Sequence, residues 1–143
     1  MKKQPATKYI LSVLQIIIIC LSAVPCYAQD NKHPIDRWFE SCLAKDNSTA
    51  GMRECSSVAY DKWDKELNKN YRDLMKSLPA DAKAVLKTAQ LQWIKFKDAE
   101  FKLIDVTEGR NEGTMWLTVT DGHRLDFVRK RALELKGYLE SKE

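Results

Sequence analysis

Between Met52 and Leu78, apolar side chains recur at steps of three and four: Met52, Cys55, Ala59, Trp63, Leu67, Tyr71, Leu74 and Leu78. Only a helix brings residues so spaced onto one face, and a helix with such a face must bury it against other elements. The same period continues downstream, and strand-type alternation is nearly absent. The chain is therefore expected to be all-α, a small antiparallel bundle of three long helices plus a short N-terminal helix tied by one disulfide.

Punctuation residues set the helix bounds. Pro34 opens a short helix to about Lys45, where its missing amide proton is harmless. Asp46-Asn47-Ser48 turns the chain, and Ser48 or Thr49 caps a second helix over about 49–77. Pro79 breaks that helix, and Ser77 is the expected cap of a third, about 80–106. Its stripe reads Val85 or Leu86, Ala89, Trp93, Phe96, Glu100 and Leu103. The short link to the second helix makes the two antiparallel neighbours. After the glycine-flanked loop Gly109–Gly113, Thr114 opens a fourth helix to about Glu140, with Leu117, Leu125, Val128, Ala132, Leu135 and Leu139 inside. Asp121-Gly122 marks a place for a kink, since glycine costs about 1 kcal/mol against alanine within a helix.

The N-terminus reads as a targeting segment. Lys2, Lys3 and Lys8 precede an apolar run from Ile10 to Val24, and Cys26-Tyr27-Ala28 closes it with small residues at the recognised positions. The run is shorter than the ~20 residues a spanning helix needs. Ala23-Val24-Pro25 before Cys26 also departs from a lipid-attachment box. Residues 1–28 are thus expected to be a signal peptide and residues 29–143 one mature domain, periplasmic or secreted from a bacterium, with no stable membrane insertion. Loss of three lysines lowers the formal net charge from +4 to +1. No sustained basic stripe remains to displace counterions from nucleic acid, and Arg129-Lys130-Arg131, flanked by acids, reads as a solvated helical face.

Cleavage also leaves only Cys42 and Cys55. In an oxidising compartment such a pair forms a disulfide, whose loop would stabilise by roughly 3 kcal/mol in the chain-entropy model. Neither His33 nor His123 stands at metal-ligand spacing. No cofactor, metal or catalytic residue is expected, because no nucleophile has a base and an orienting partner in view. Acids on every helix are not a catalytic pair.

Two segments carry a family signature: Asp64-x-x-Leu67-Asn68-x-x-Tyr71, then Ala89-Gln90-x-x-Trp93-x-x-Phe96-x-Asp98. With Cys42, Met52-x-x-Cys55 and Ala59 ahead, and Gly113-Thr114, Arg129 and Leu135 behind, the series resembles the LprI-type lysozyme-inhibitor domain family of small secreted bacterial helical proteins. The resemblance implies an LprI-like helical domain over residues 29–143 and a protein partner, lysozyme. Members often hold a second cysteine pair; here Phe101 and a residue near His123 take those places.

Physically, Trp63, Tyr71, Trp93 and Phe96 are expected between the second and third helices. Asn68 and Gln90 are expected to hydrogen-bond across that interface, and Asp98 to pair with Arg129. Function then falls to surfaces. The loop Arg110-Asn111-Glu112 with nearby Trp116 joins charge, amide and a large aromatic at a helix start, the residue types enriched in binding hot spots. These four are the candidate partner-binding residues. A non-inhibitory accessory or structural protein of the bacterial cell envelope is the alternative function.

Overall fold

A computed structural model describes residues 32–141; the expected signal peptide lies outside them. The described residues form four helices and no strand: α1, Pro34–Lys45; α2, Thr49–Ser77; α3, Ala80–Thr107; and α4, Thr114–Glu140. The caps explain the bounds. The backbone N–H of Ile35 donates to His33 Nδ1 at 3.3 Å, and Pro34 takes the first helical position. Ser48 Oγ accepts from the Gly51 N–H at 3.0 Å and starts α2. Asp46 Oδ1 accepts from the Ser48 N–H at 2.9 Å, and the bonds from Ser48 hold the Asp46 carboxyl below the usual carboxylate range.

Two expected caps are absent. Pro79 precedes α3 without a side-chain cap, and the Ser77 hydroxyl donates back to the Leu74 carbonyl at 3.3 Å. Gly113, not Thr114, is the N-cap of α4. α4 also continues through Gly122 as one helix.

The core is a contact between α2 and α4. Ala59, Trp63, Leu67 and Leu74 meet Leu125, Val128, Ala132 and Leu135, all of them buried. Ala59 and Ala132 are fully inaccessible, so small residues let the helices approach where Trp63 fills the space between. Positions along α4 rise with those along α2: Arg53 meets Asp121, and Asn70 meets Ala132. Along α3 they fall, with Gln90 at Arg131 and Asp105 at Arg124. α1 lies on α2, joined by the Cys42–Cys55 disulfide with Cα atoms 5.9 Å apart.

The expected fastening between α2 and α3 is therefore displaced. α2 packs chiefly on α4, and α3 has only sparse contacts with either. Trp63 belongs to the α2–α4 core, and Tyr71 packs on its edge, half-buried. Trp93 stacks on Phe127 of α4, ring centroids 5.8 Å apart, while Phe96 is mostly exposed. Leu117, expected inside α4, is also exposed.

The polar fastenings differ as well. Asn68 is exposed, and its Nδ2 donates to the carbonyl and carboxylate of Asp64 one turn back, at 2.8 and 2.9 Å. The buried amide is Asn70, which donates to the Ala132 carbonyl at 3.0 Å and joins α2 to α4. Gln90 is buried as expected, but it accepts from Arg131 Nε of α4 at 3.1 Å, not from α2. Asp98 is exposed beside Lys97. Arg129 instead grips Asp36 of α1 with two bonds of 2.8 and 2.7 Å, which raise its guanidinium pKa. The 129–131 run is no solvated face: Arg131 is buried and Arg129 half-buried, and only Lys130 points out.

Candidate partner-binding surface

The turn joining α3 to α4 is built by its glycines. At Gly109 a Cβ would lie 2.6 Å from the Asp105 carbonyl oxygen, so the chain can close against the end of α3 only without a side chain there. The Gly109 N–H donates to the Ile104 carbonyl at 3.3 Å, and Asn111 N–H to Glu108 at 3.1 Å. Gly113 then takes φ +99°, a left-handed backbone that other residues rarely adopt, and redirects the chain into α4.

A hydrogen-bonded histidine and an ion pair bracket the base of this turn. His123 Nδ1 lies 2.7 Å from Glu108, and Arg124 pairs with Asp105. Phe101, at one place where relatives hold a second cysteine, packs against Tyr60 and Phe127 at 6.4 and 6.0 Å. The charged heads of Lys97 and Arg124 lie over its ring, each 5.4 Å from the centroid. Burial in this cluster pushes the Tyr60 phenol pKa up. Aromatic and charged contacts thus occupy the region that a second disulfide would tie.

Beyond the base, Arg110, Asn111, Glu112 and Trp116 are all exposed, as are Met115 and Leu117 beside them. The side chains of Arg110, Asn111 and Glu112 make no hydrogen bond or ion pair among the described residues. Trp116 keeps 40% of its surface exposed. Arg110, Asn111 and Glu112 lie on the turn between α3 and α4, and Trp116 lies in the first turn of α4. The structure places the signature residues Asp64, Leu67, Asn68, Tyr71, Gln90, Trp93, Asp98 and Arg129 elsewhere, along the helices.

Both histidines are engaged, His33 as the α1 cap with its ring tilted against Trp63 at 4.4 Å and His123 with Glu108. Burial lowers the His33 pKa, so its ring favours the neutral form that can accept the cap bond. Among the described residues no His, Cys, Asp and Glu cluster could hold a metal ion, and no helix is long and apolar enough to cross a membrane. What the surface offers is an uncommitted cation, an amide and a carboxylate beside partly exposed apolar side chains.

Several contributors escaped sequence reasoning. Asn70 and Arg131 do carry a readable signal, because they fall on the inner lines of their helices (Trp63, Leu67, Asn70, Leu74; Val128, Arg131, Leu135). A polar residue in such a line must find a partner inside. Asp36 with Arg129 offers no such signal, being separated by 93 positions.

The described residues define a class by fold, the small all-helical domain tied by a disulfide. The family model described as lysozyme inhibitor LprI matches residues 42–135, and the chain belongs to that family. It is 32% identical over 109 residues to an uncharacterized protein of Rhizobium meliloti (strain 1021), covering 67% of this chain and 77% of that one. It is also similar to the crystal structure of an uncharacterized protein from Burkholderia thailandensis, with TM-score 0.70 and 34% identity over 74% of this chain. The chain spans about half, 53%, of that solved chain.

Proposed function

We propose that the protein is a bacterial periplasmic or secreted protein-binding module that inhibits lysozyme by seating the α3–α4 turn in the enzyme's cleft. Membership of the LprI family supports the partner, and the Cys42–Cys55 disulfide agrees with an oxidising compartment. The observation that carries the reading is the exposed, uncommitted set Arg110, Asn111 and Glu112 beside exposed Trp116. A glycosidase cleft of this kind works with two carboxyl groups flanking the scissile bond. Arg110 would bond a carboxylate there through charge-assisted hydrogen bonds, and Trp116 would bury its ring against the cleft wall. The protein itself performs no chemistry in this scheme.

Titrating the purified protein into a lysozyme lysis assay tests the proposal. Lysis should fall in proportion to the inhibitor added, and unchanged lysis at large molar excess would overturn it. R110A and W116A should each weaken inhibition by about tenfold to a hundredfold, the range of hot-spot truncations. Their unfolding midpoints should match the parent, since both side chains are exposed.

A further inference from the structure

α3 carries two apolar lines, and the fold uses one. Leu86, Gln90, Trp93, Lys97 and Ile104 are buried or half-buried toward the rest of the molecule. A second line, Ala89, Gln92, Phe96, Ala99, Leu103 and Val106, steps by three and four without a break, and every member is exposed. Val85 extends it by one more step of four. Val85 is 69% exposed, Phe96 56%, Leu103 51% and Val106 48%, although Phe96 touches Phe127 with ring centroids 5.4 Å apart. From Val85 to Val106 the line is about 31 Å long at 1.5 Å per residue. A 3.5-residue period over three heptads, apolar at every position but Gln92, is the pattern that a partner helix reads in a coiled coil.

We infer that this line is the interface with a second copy of the chain, α3 against α3 in parallel and in register. The flanking residues select that occupant and that direction. In heptad terms Ala89, Phe96 and Leu103 are a positions, and Val85, Gln92, Ala99 and Val106 are d positions. Leu86, Trp93 and Glu100 then occupy e, and Thr88, Lys95 and Lys102 occupy g. The e positions are half-buried on the side facing the body of the protein, whereas the g positions are open.

A parallel pair sets each e edge against the other copy's g edge. The two bodies then lie on opposite sides of the seam, and Lys95 meets Glu100 of the partner subunit, five residues further on. An antiparallel pair sets e against e, which brings body against body, and g against g, which brings lysines together. Parallel registry also places Gln92 beside Gln92 of the partner subunit. There each amide can donate to and accept from the other, and a polar seam position of this kind fixes register.

Sedimentation of the purified protein, run from micromolar to hundreds of micromolar, reads the assembly without any assay of lysozyme. A monomer–dimer equilibrium is expected. F96E and, independently, L103E should raise the dimer dissociation constant about 100-fold or more while leaving the far-ultraviolet spectrum, and the unfolding midpoint at low protein concentration, close to the parent's, because both side chains are exposed. K95E should weaken the dimer about fivefold by setting like charges together, and K95E with E100K should restore it. Q92C should cross-link to its counterpart under mild oxidation. A chain that stays monomeric throughout, or a dimer indifferent to F96E and L103E, would overturn the interface. A dimer that those variants break but that Q92C fails to cross-link would overturn the parallel arrangement.

Discussion

α2 and α3 are neighbours of nearly equal length, 29 and 28 residues, yet they use their apolar residues in opposite ways. α2 buries eight residues, most of them in one line against α4, and receives α1 through a disulfide at its start. α3 buries Gln90 alone and leaves Val85, Phe96, Leu103 and Val106 in solvent. The difference teaches that amphipathic character in this chain is used unevenly. On α2 it builds the core, and on α3 much of it stays exposed.

The sharpest way to break that division is to remove one aromatic from each helix. Trp63→Ala takes a nearly inaccessible ring out of the α2–α4 core, and losses of this kind cost about 3–5 kcal/mol. Phe96→Ala removes a ring that is mostly in water and should cost the isolated chain less than about 1 kcal/mol. Urea unfolding of both variants at low protein concentration measures the gap. Equal losses would mean that α3 is part of the core after all. Next in size is the disulfide. Replacing Cys42 and Cys55 by serine should lower stability by about 3 kcal/mol, because the bridge closes a loop of 13 positions. Reductant should do the same to the parent and nothing further to the variant.

The same contrast explains what was legible in the residues. The bounds of all four helices could be read closely, since Pro34, Ser48, Pro79 and the Gly109–Gly113 turn are local signals. The face of α2 could be read because it has one apolar line. The face of α3 could not, because Leu86 and Trp93 belong to the inner line while Ala89, Phe96 and Leu103 belong to the outer one. The two lines lie within about 100° of each other, and periodicity alone does not say which meets the core. Reading them as one stripe is what placed Phe96 inside and made α3 the partner of α2. The exposed turn was legible because glycines and a cluster of polar residues announce it. The brace beneath it, Glu108 with His123 and Asp105 with Arg124, joins positions 15 and 19 apart on two helices and needs the fold to be seen.

A finer comparison sets two amides on α2 against each other. Asn70 is buried and its bond to the Ala132 carbonyl is a direct polar tie between α2 and α4, whereas Asn68 bonds only within its own helix in solvent. Asn70→Ala leaves a small void and removes that bond, which should cost about 1–3 kcal/mol. Asn68→Ala should fall within about 0.5 kcal/mol of the parent, since alanine also favours the helix. A reversed order would return the register-setting role to the signature residue Asn68.

The smallest expected effect lies at the other end of the Trp63 ring, and it depends on pH. His33 covers one part of that ring at 4.4 Å, and the Arg129 guanidinium lies 5.5 Å from its centroid. Burial is the main cause that lowers the His33 pKa, with Lys136 and Arg129 adding to it, while Glu66 and Asp36 oppose it. The unfolded chain therefore takes up a proton at His33 before the folded chain does. Stability contributed by this group is complete above the unfolded value of about 6.5 and declines as pH falls from there toward the lower folded value. Protonation also removes the Nδ1 lone pair that accepts the Ile35 N–H, so α1 loses its cap in the same interval. His33→Asn keeps a side-chain acceptor at the cap and removes the titration. Unfolding midpoints measured between pH 5 and 7 should show a rising slope in the parent that is shallower in the variant. Identical slopes would detach His33 from the stability of the α1–α2 face, and α1 would then be held there by its disulfide, by the Asp36–Arg129 pair and by the packing of Ile35, Trp38 and Phe39 on the core.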